Sequence, residues 1–271
     1  MKGKYQKVIV RSNRQIAADI FQLDLETDVS ESVFPGQFVM LQGLAQTSVL
    51  PRPFTVYFAQ RGVFIRLVFE ARGKNTRLYA QLKSGEGINL LGPCGQPAVI
   101  GEQTKLAIFV GGGCGLASLH FLAFEASRTQ GADLLVASGF RDGDHVFGVK
   151  DFESLGIAME IATEDGSRGT KGTALDLFQE IVHGNDGHLK PEMTQVFTCG
   201  PTAMMKQVAA CAKAEGIQCF VFLEAMMACG IGDCKGCAIP VTTSNFPKHV
   251  CEDGPLFLAE EVNWNGFTKD S

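Results

Sequence analysis

Three of the nine cysteines in this 271-residue chain fall close together, in Cys229-Gly-Ile-Gly-Asp-Cys234-Lys-Gly-Cys237. A fourth, Cys251, follows at a distance. The spacing C-x4-C-x2-C with a remote fourth thiol is one that holds a 2Fe-2S cluster. Thiolates wrapped around one small inorganic core need a tight loop whose backbone N–H groups face sulfur. Gly230, Gly232 and Gly236 permit such a backbone. The competing chemistry is a zinc site, but zinc usually takes paired C-x2-C knuckles and only one such pair is present. The expected metal ligands are Cys229, Cys234, Cys237 and Cys251.

Two further stretches could hold nucleotide cofactors. Arg52-Pro-Phe-Thr55 opens an expected strand, and Gly73-Lys-Asn-Thr76 opens an expected short helix. A helix start behind a glycine turn offers N–H groups to a pyrophosphate, and an arginine on a neighbouring strand can clamp the same phosphates. A Thr at the strand end can hydrogen-bond a flavin ring. Taken singly, these pieces are equally an edge strand and an ordinary helix cap. Farther on, Val110-Gly111-Gly112-Gly113-Cys114-Gly115 ends an apolar strand and begins a helix, where glycine lets backbone approach a dinucleotide. The spacing is not G-x-G-x-x-G, which weakens a plain dehydrogenase reading. Thr198-Cys199-Gly200-Pro201 stands at the end of a later strand, the edge where such sheets bind ligands. Cys199 is the residue expected beside a nicotinamide ring; the competing reading is a buried strand-end thiol.

The elements that would position these groups fall into two patterns. Residues 5–11, 17–25, 37–42, 54–59, 63–69 and 87–91 read as short strands of a small antiparallel barrel, interrupted by a helix at 76–82. From Lys105 onward, strands alternate with helices: strands at 106–110, 133–138, 158–162, 195–198 and 218–223, helices at 116–128, 173–182 and 202–215. That alternation predicts a parallel α/β nucleotide-binding sheet. The expected division is 1–101, 102–223 and 224–271, the last a cysteine- and glycine-rich appendage with little regular structure.

Composition narrows the function classes. A net charge of −5 without a long basic run argues against nucleic-acid binding. No apolar stretch reaches the length of a membrane span, and the N-terminal residues lack a signal-peptide core, so a cytoplasmic protein with reduced thiols is expected. The five histidines, His120, His145, His183, His188 and His249, show no metal-ligand spacing. Cys211 and Cys219 read as core; Cys94 and Cys114 lie in expected cofactor loops. Met226 and Met227 precede the cluster loop and are expected to shield it. With Ile231, Leu256 and Phe257, they also make an apolar set beside the cysteine ligands that could meet a partner.

Together the motifs resemble the ferredoxin–NADP reductase superfamily, with its R-x-[YF]-[ST], G-x-G-T, G-G-G-x-G and C-G-P motifs in the same order. The pyrophosphate motif is a variant, with Asn75 where Gly is usual. Glu70 and the stretch Gly92-Pro-Cys-Gly-Gln-Pro97 also depart from the family pattern. The stretch Met227-Ala-Cys-Gly-Ile-Gly-Asp-Cys234 and the later Cys251-Glu-Asp-Gly-Pro-Leu-Phe257 are similar to the electron-transfer subunits of B-type dihydroorotate dehydrogenases. The resemblance implies FAD held by Arg52, Pro53, Phe54, Thr55, Val68, Phe69, Glu70, Asn75 and Thr76. It implies NAD at Gly111, Gly112, Gly113, Gly115, Cys199, Gly200 and Pro201. It further implies an FMN-containing catalytic subunit as partner, in a heterotetramer of two copies each, and a role in pyrimidine biosynthesis. Electrons would pass from that FMN through the 2Fe-2S cluster and FAD to NAD+. Other readings are a reductase subunit of a sulfide dehydrogenase or ferredoxin-linked complex, a stand-alone oxygenase reductase, and a non-catalytic zinc-binding module. The tail is short for the complete ferredoxin domain of an oxygenase reductase.

Overall fold

Alternating apolar positions between Lys4 and Cys94 close into an antiparallel barrel. Its strands are β1 (Lys4–Ala17), β2 (Ile20–Glu26), β3 (Phe38–Gln42), β4 (Arg52–Gln60), β5 (Phe64–Glu70) and β6 (Gly87–Cys94), ordered β1-β2-β5-β4-β3-β6. The computed structural model describes residues 3–43, 50–129, 131–184 and 189–267; His188 lies outside them. Ala17, expected to open the second strand, instead closes β1 and pairs with Ile20, because Asp19 takes a left-handed turn at φ 55°. The α-helix of the barrel region, α1 (Lys74–Tyr79), begins earlier than the expected 76–82. Thr76 causes this: its hydroxyl accepts from the Gly73 N–H at 3.0 Å and caps the first turn.

The second half is a parallel sheet flanked by helices. In chain order it runs β7 (Leu106–Gly112), α2 (Ala117–Thr129), β8 (Asp133–Phe140), α3 (Val149–Ser154), β9 (Ala158–Thr163), β10 (Thr170–Lys171), α4 (Ala174–His183), β11 (Thr194–Cys199), α5 (Thr202–Ala214) and β12 (Gln218–Phe222). α3 and the two-residue β10 were not expected from the apolar pattern; α3 is too short to show a helical period. β7 pairs with β8 on one side and β11 on the other, so the strand order reverses there. The carboxyl ends of β7 and β11 therefore flank a switch-point crevice, the usual nucleotide position in such sheets.

The C-terminal residues are not a loose appendage. β13 (Ala238–Ile239) pairs with β14 (Lys248–His249), α6 (Val250–Asp253) follows, and β15 (Leu256–Leu258) lies antiparallel on β12 at the sheet's edge. Added there, β15 satisfies the open backbone groups of β12. Phe257 is 3% exposed and packs with Val221, Leu223, Cys237 and Cys251, in a core that also takes Phe38, Met40 and Cys94 from the barrel. No helix among the described residues is long and apolar enough to cross a membrane.

Candidate redox-cofactor site

The cysteine loop follows β12 and folds back over the end of the barrel. Its four sulfurs stand as two pairs. Cys237 and Cys251 are buried, with Sγ atoms 3.2 Å apart; Cys229 and Cys234 lie outside them, Cys234 exposed. Backbone N–H groups point at each sulfur: Gly232 to Cys251 at 3.2 Å, Cys234 to Cys229 at 3.4 Å, Gly236 to Cys234 at 3.5 Å and Cys251 to Cys237 at 3.4 Å. Such donors favour thiolates. The hydrogen bond shared with Cys251 pulls the Cys237 thiol down to about 6 and pushes Cys251 up. Burial works against the Cys229 thiolate, but N–H groups of Cys234, Ile231 and Asp233 hold its thiol below the ordinary value. A core with two metal positions fits paired thiols of this kind.

Gly230 and Gly232 supply left-handed turns at φ 74° and 86°, as the loop chemistry required. Gly236 does not; the third left-handed residue is Lys235, at φ 55°. A side chain at Gly230 would collide with Met40 of β3, its Cβ 2.5 Å from Met40 Cγ and 3.6 Å from Cys94 Sγ. The loop is thus seated directly on barrel residues.

On the barrel wall, Phe54 and Phe69 turn into the core, rings 5.4 Å apart, and Tyr79 packs against Phe54. Val68 is buried in the seam between barrel and sheet. Pro53 and Thr55 are partly open, Asn75 is buried at the start of α1, and Arg52 is exposed, donating to the carbonyls of Leu50 and Pro51. Glu70 pairs with Arg72 at 2.9 Å.

The glycines at the end of β7 and just beyond it act largely within the chain. A Cβ on Gly115 would sit 2.4 Å from the Cys199 carbonyl oxygen, and one on Gly112 would sit 2.8 Å from Pro201 Cδ. Small residues here let the 111–115 and 199–201 turns lie flush across the switch point. Only Gly113, at φ 52°, faces open space. Cys199 is 1% exposed and packs beside Phe109 and Phe197, so its backbone borders the crevice while its thiol belongs to the core.

All three motif regions meet at Cys114. Burial, then the nearby carboxylates of Glu224 and Glu70, push its thiol up to about 12; a backbone N–H of Glu70 works the other way. Cys94 is likewise pushed up to about 12, by burial and then by Cys229. Neither thiol is activated at neutral pH. Cys219 is buried, and Cys211 only partly so.

The family model for the iron-sulfur cluster binding domain of dihydroorotate dehydrogenase B matches residues 224–263. The dihydroorotate dehydrogenase B (NAD(+)) electron transfer subunit of Caldanaerobacter subterraneus subsp. tengcongensis is 36% identical, over 94% of this chain and 97% of the relative. Its Fusobacterium nucleatum counterpart is 32% identical over 96% and 98%. The chain belongs to the dihydroorotate dehydrogenase B electron transfer subunits. Members of this family are electron-transfer subunits of an oxidoreductase. Among solved structures, the NADH-dependent reduced ferredoxin-NADP oxidoreductase superposes with a TM-score of 0.83 at 29% identity, covering 95% of this chain and 90% of that one. A Neisseria gonorrhoeae ferredoxin NADP+ reductase with bound FAD and NADP shares the fold, with a TM-score of 0.67 at 16% identity, covering 84% and 95%.

One part of this family member's site escaped the sequence patterns. Tyr57 of β4 donates to Asp151 of α3 at 2.6 Å and stacks on His120 of α2, ring centroids 4.0 Å apart. The Tyr57 carbonyl accepts from His120 Nδ1 at 3.0 Å. Ser118 donates to Thr55 at 3.2 Å. The strand carrying the flavin motif is thereby fastened to the helix that follows the nicotinamide motif. The only sequence signal was a Ser and a His on an otherwise apolar helix face.

Proposed function

We propose that this chain carries electrons between an FMN-containing, dihydroorotate-oxidising partner subunit and NAD(H), in pyrimidine biosynthesis. When bound, a 2Fe-2S cluster supplies one-electron exchange, nicotinamide exchanges hydride, and FAD converts between the two. Cys229 with Cys234, and Cys237 with Cys251, would ligate the cluster. Arg52, Thr55, Asn75 and Thr76 would hold FAD, with Pro53, Val68 and Glu70 forming its wall and Phe54 and Phe69 backing that wall from the barrel core. Gly111, Gly112, Gly113, Gly115, Gly200 and Pro201 would receive NAD, and Cys199 would shape the nicotinamide end of that crevice. Residues 1–101, 102–223 and 224–271 are the corresponding flavin, nicotinamide and cluster regions.

The observation that carries this reading is the paired thiol loop seated on the barrel. A cluster held there would lie against residues next to the strand proposed to hold the flavin. The outer pair, Cys229 and Cys234, faces outward, which suits exchange with a partner. We assign the assembly two copies of each subunit, since most such complexes are symmetric. Nine cysteines without a disulfide among them fit a reducing, cytoplasmic compartment.

Expression with and without the dihydroorotate-oxidising subunit tests the reading. Alone, the chain should oxidise NADH with artificial acceptors and leave dihydroorotate untouched; together, the pair should reduce NAD+ with dihydroorotate. Turnover of dihydroorotate by the isolated chain, or failure of the two to associate, overturns it. A second reading, a reductase subunit serving a ferredoxin-linked complex, draws support from the full-length likeness to the NADH-dependent oxidoreductase. Reduction of ferredoxin by the isolated chain, without the dihydroorotate-oxidising subunit, would favour it.

A further inference from the structure

We propose that Ser118 is a positioning residue for the flavin ring, acting through Thr55. The inference rests on the reading of Thr55 as a flavin contact. Ser118 is the second residue of α2, 7% exposed, in the helix that follows the 111–115 turn. Its hydroxyl donates to Thr55 Oγ1 at 3.2 Å, from one cofactor region to the other.

A threonine hydroxyl has one proton and two lone pairs. Accepting from Ser118 occupies a lone pair and leaves the Thr55 proton to point elsewhere. No other hydrogen bond of the Thr55 hydroxyl occurs among the described residues. Thr55 is partly open, and the strand beside it carries Val68 and Glu70 of the same wall. The Thr55 proton is thus left available to a ring lying against that wall. The pair is also reversible. Thr55 can donate back to Ser118 and present a lone pair outward, so one hydroxyl can offer either a donor or an acceptor to a ring edge.

His120 holds the serine in register. It lies two residues farther along α2 and is bonded to the Tyr57 carbonyl, two residues beyond Thr55 on β4. Two links with the same offset fix helix against strand, so Ser118 cannot drift from Thr55 without breaking the second.

The experiment is a double-mutant cycle in the chain loaded with FAD and cluster. Wild type, Ser118→Ala, Thr55→Ala and the double variant are compared for FAD content, flavin midpoint potential and the rate of flavin reduction by NADH. Ser118→Ala should retain FAD, shift the midpoint potential and slow reduction by about two- to tenfold, the range of one hydrogen bond. In the Thr55→Ala background the same change should add nothing. Ser118→Thr should restore the potential, whereas Ser118→Cys, of similar size with a weak donor, should not. Equal effects of Ser118→Ala in both backgrounds overturn the role of Ser118 and leave the flavin site standing. A silent Thr55→Ala with full FAD content overturns the flavin reading of Thr55, and the proposal with it.

Discussion

Tyr57 on β4 donates its hydroxyl proton to Asp151 on α3 at 2.6 Å, across the seam between barrel and parallel sheet. The tyrosine is 1% exposed, and its hydroxyl is held well above the ordinary value of 10.0, by burial first and then by the Asp151 charge. It stays a neutral donor through the neutral range. Arg66, donating to Asp24 through Nε and Nη2 at 2.8 and 2.9 Å, adds a positive charge to the same seam.

Tyr57→Phe keeps the stacked ring and deletes only the donor. It should cost about 1–3 kcal/mol in denaturant unfolding, the penalty of stranding a partly buried acceptor. Asp151→Asn should cost less, and the double variant less than the sum. Because the folded hydroxyl titrates higher than the unfolded one, this stabilisation is full below about pH 10 and is lost as pH rises beyond it. Additive losses would show that the two residues are not coupled.

His120 predicts a slope on the acid side. Burial holds its imidazole below the ordinary value of 6.5; the Tyr57 carbonyl and Asp151 oppose that shift, and Arg66 adds to it. Nδ1 is committed to the carbonyl, and Nε2 is buried without a partner among the described residues. As pH falls through about 6.5 the unfolded chain takes up a proton that the folded chain resists, so stability declines there. The contribution can reach about 1.4 kcal/mol per pH unit. Unfolding curves between pH 7.5 and 5.5 should be steeper in pH for wild type than for His120→Gln. Identical slopes would assign the acid sensitivity to other groups.

These seam residues explain what the sequence could and could not disclose. Cys229, Cys234 and Cys237 are legible because a cluster loop is local: its spacing is its geometry. Strand and helix alternation is legible for the same reason. Tyr57 and Asp151 are 94 positions apart, and Tyr57 and His120 are 63 apart, so no local pattern joins them. β15 was illegible because three residues carry no period; only the open edge of β12 gives Leu256–Leu258 a strand's partner. Some apolar residues near the cysteines changed meaning. Phe257 is core, Leu256 pairs in β15 and Met227 packs on the core, whereas Met226, expected to shield the cluster, is 66% exposed.

Cys251→Ser should separate the two cofactor regions. Cys251 reaches the loop from α6 and accepts from the Gly232 N–H, so its loss opens the inner pair. Iron and acid-labile sulfide, expected at about two each per chain, should fall sharply, while FAD stays near one per chain because, among the described residues, no flavin-motif residue is hydrogen-bonded to that sulfur. A stable cluster in the variant would show the ligand set to be wrong. Zinc without sulfide in the wild-type protein would remove the cluster altogether.

The final prediction concerns docking. Around the outer thiol pair, Met226 is 66% exposed and Ile231 is 42% exposed. Phe246, on the connection between β13 and β14, is 80% exposed and did not stand out in the sequence. Met226 and Ile231, large apolar side chains left in water close in sequence to the outer thiols, mark a surface that a partner covers. Ile231 is the sharpest probe, lying between Cys229 and Cys234 with its backbone N–H directed at Cys229. Ile231→Asp places a charge in the apolar contact while keeping that N–H. It should leave iron, sulfide and FAD content unchanged, and leave NADH oxidation with artificial acceptors unchanged. It should weaken association with the dihydroorotate-oxidising subunit by about tenfold or more, as a buried unpaired charge does, and lower NAD+ reduction by dihydroorotate in parallel. Size-exclusion chromatography and coupled turnover read the two effects. Undiminished association and turnover would move the interface to another face of the chain.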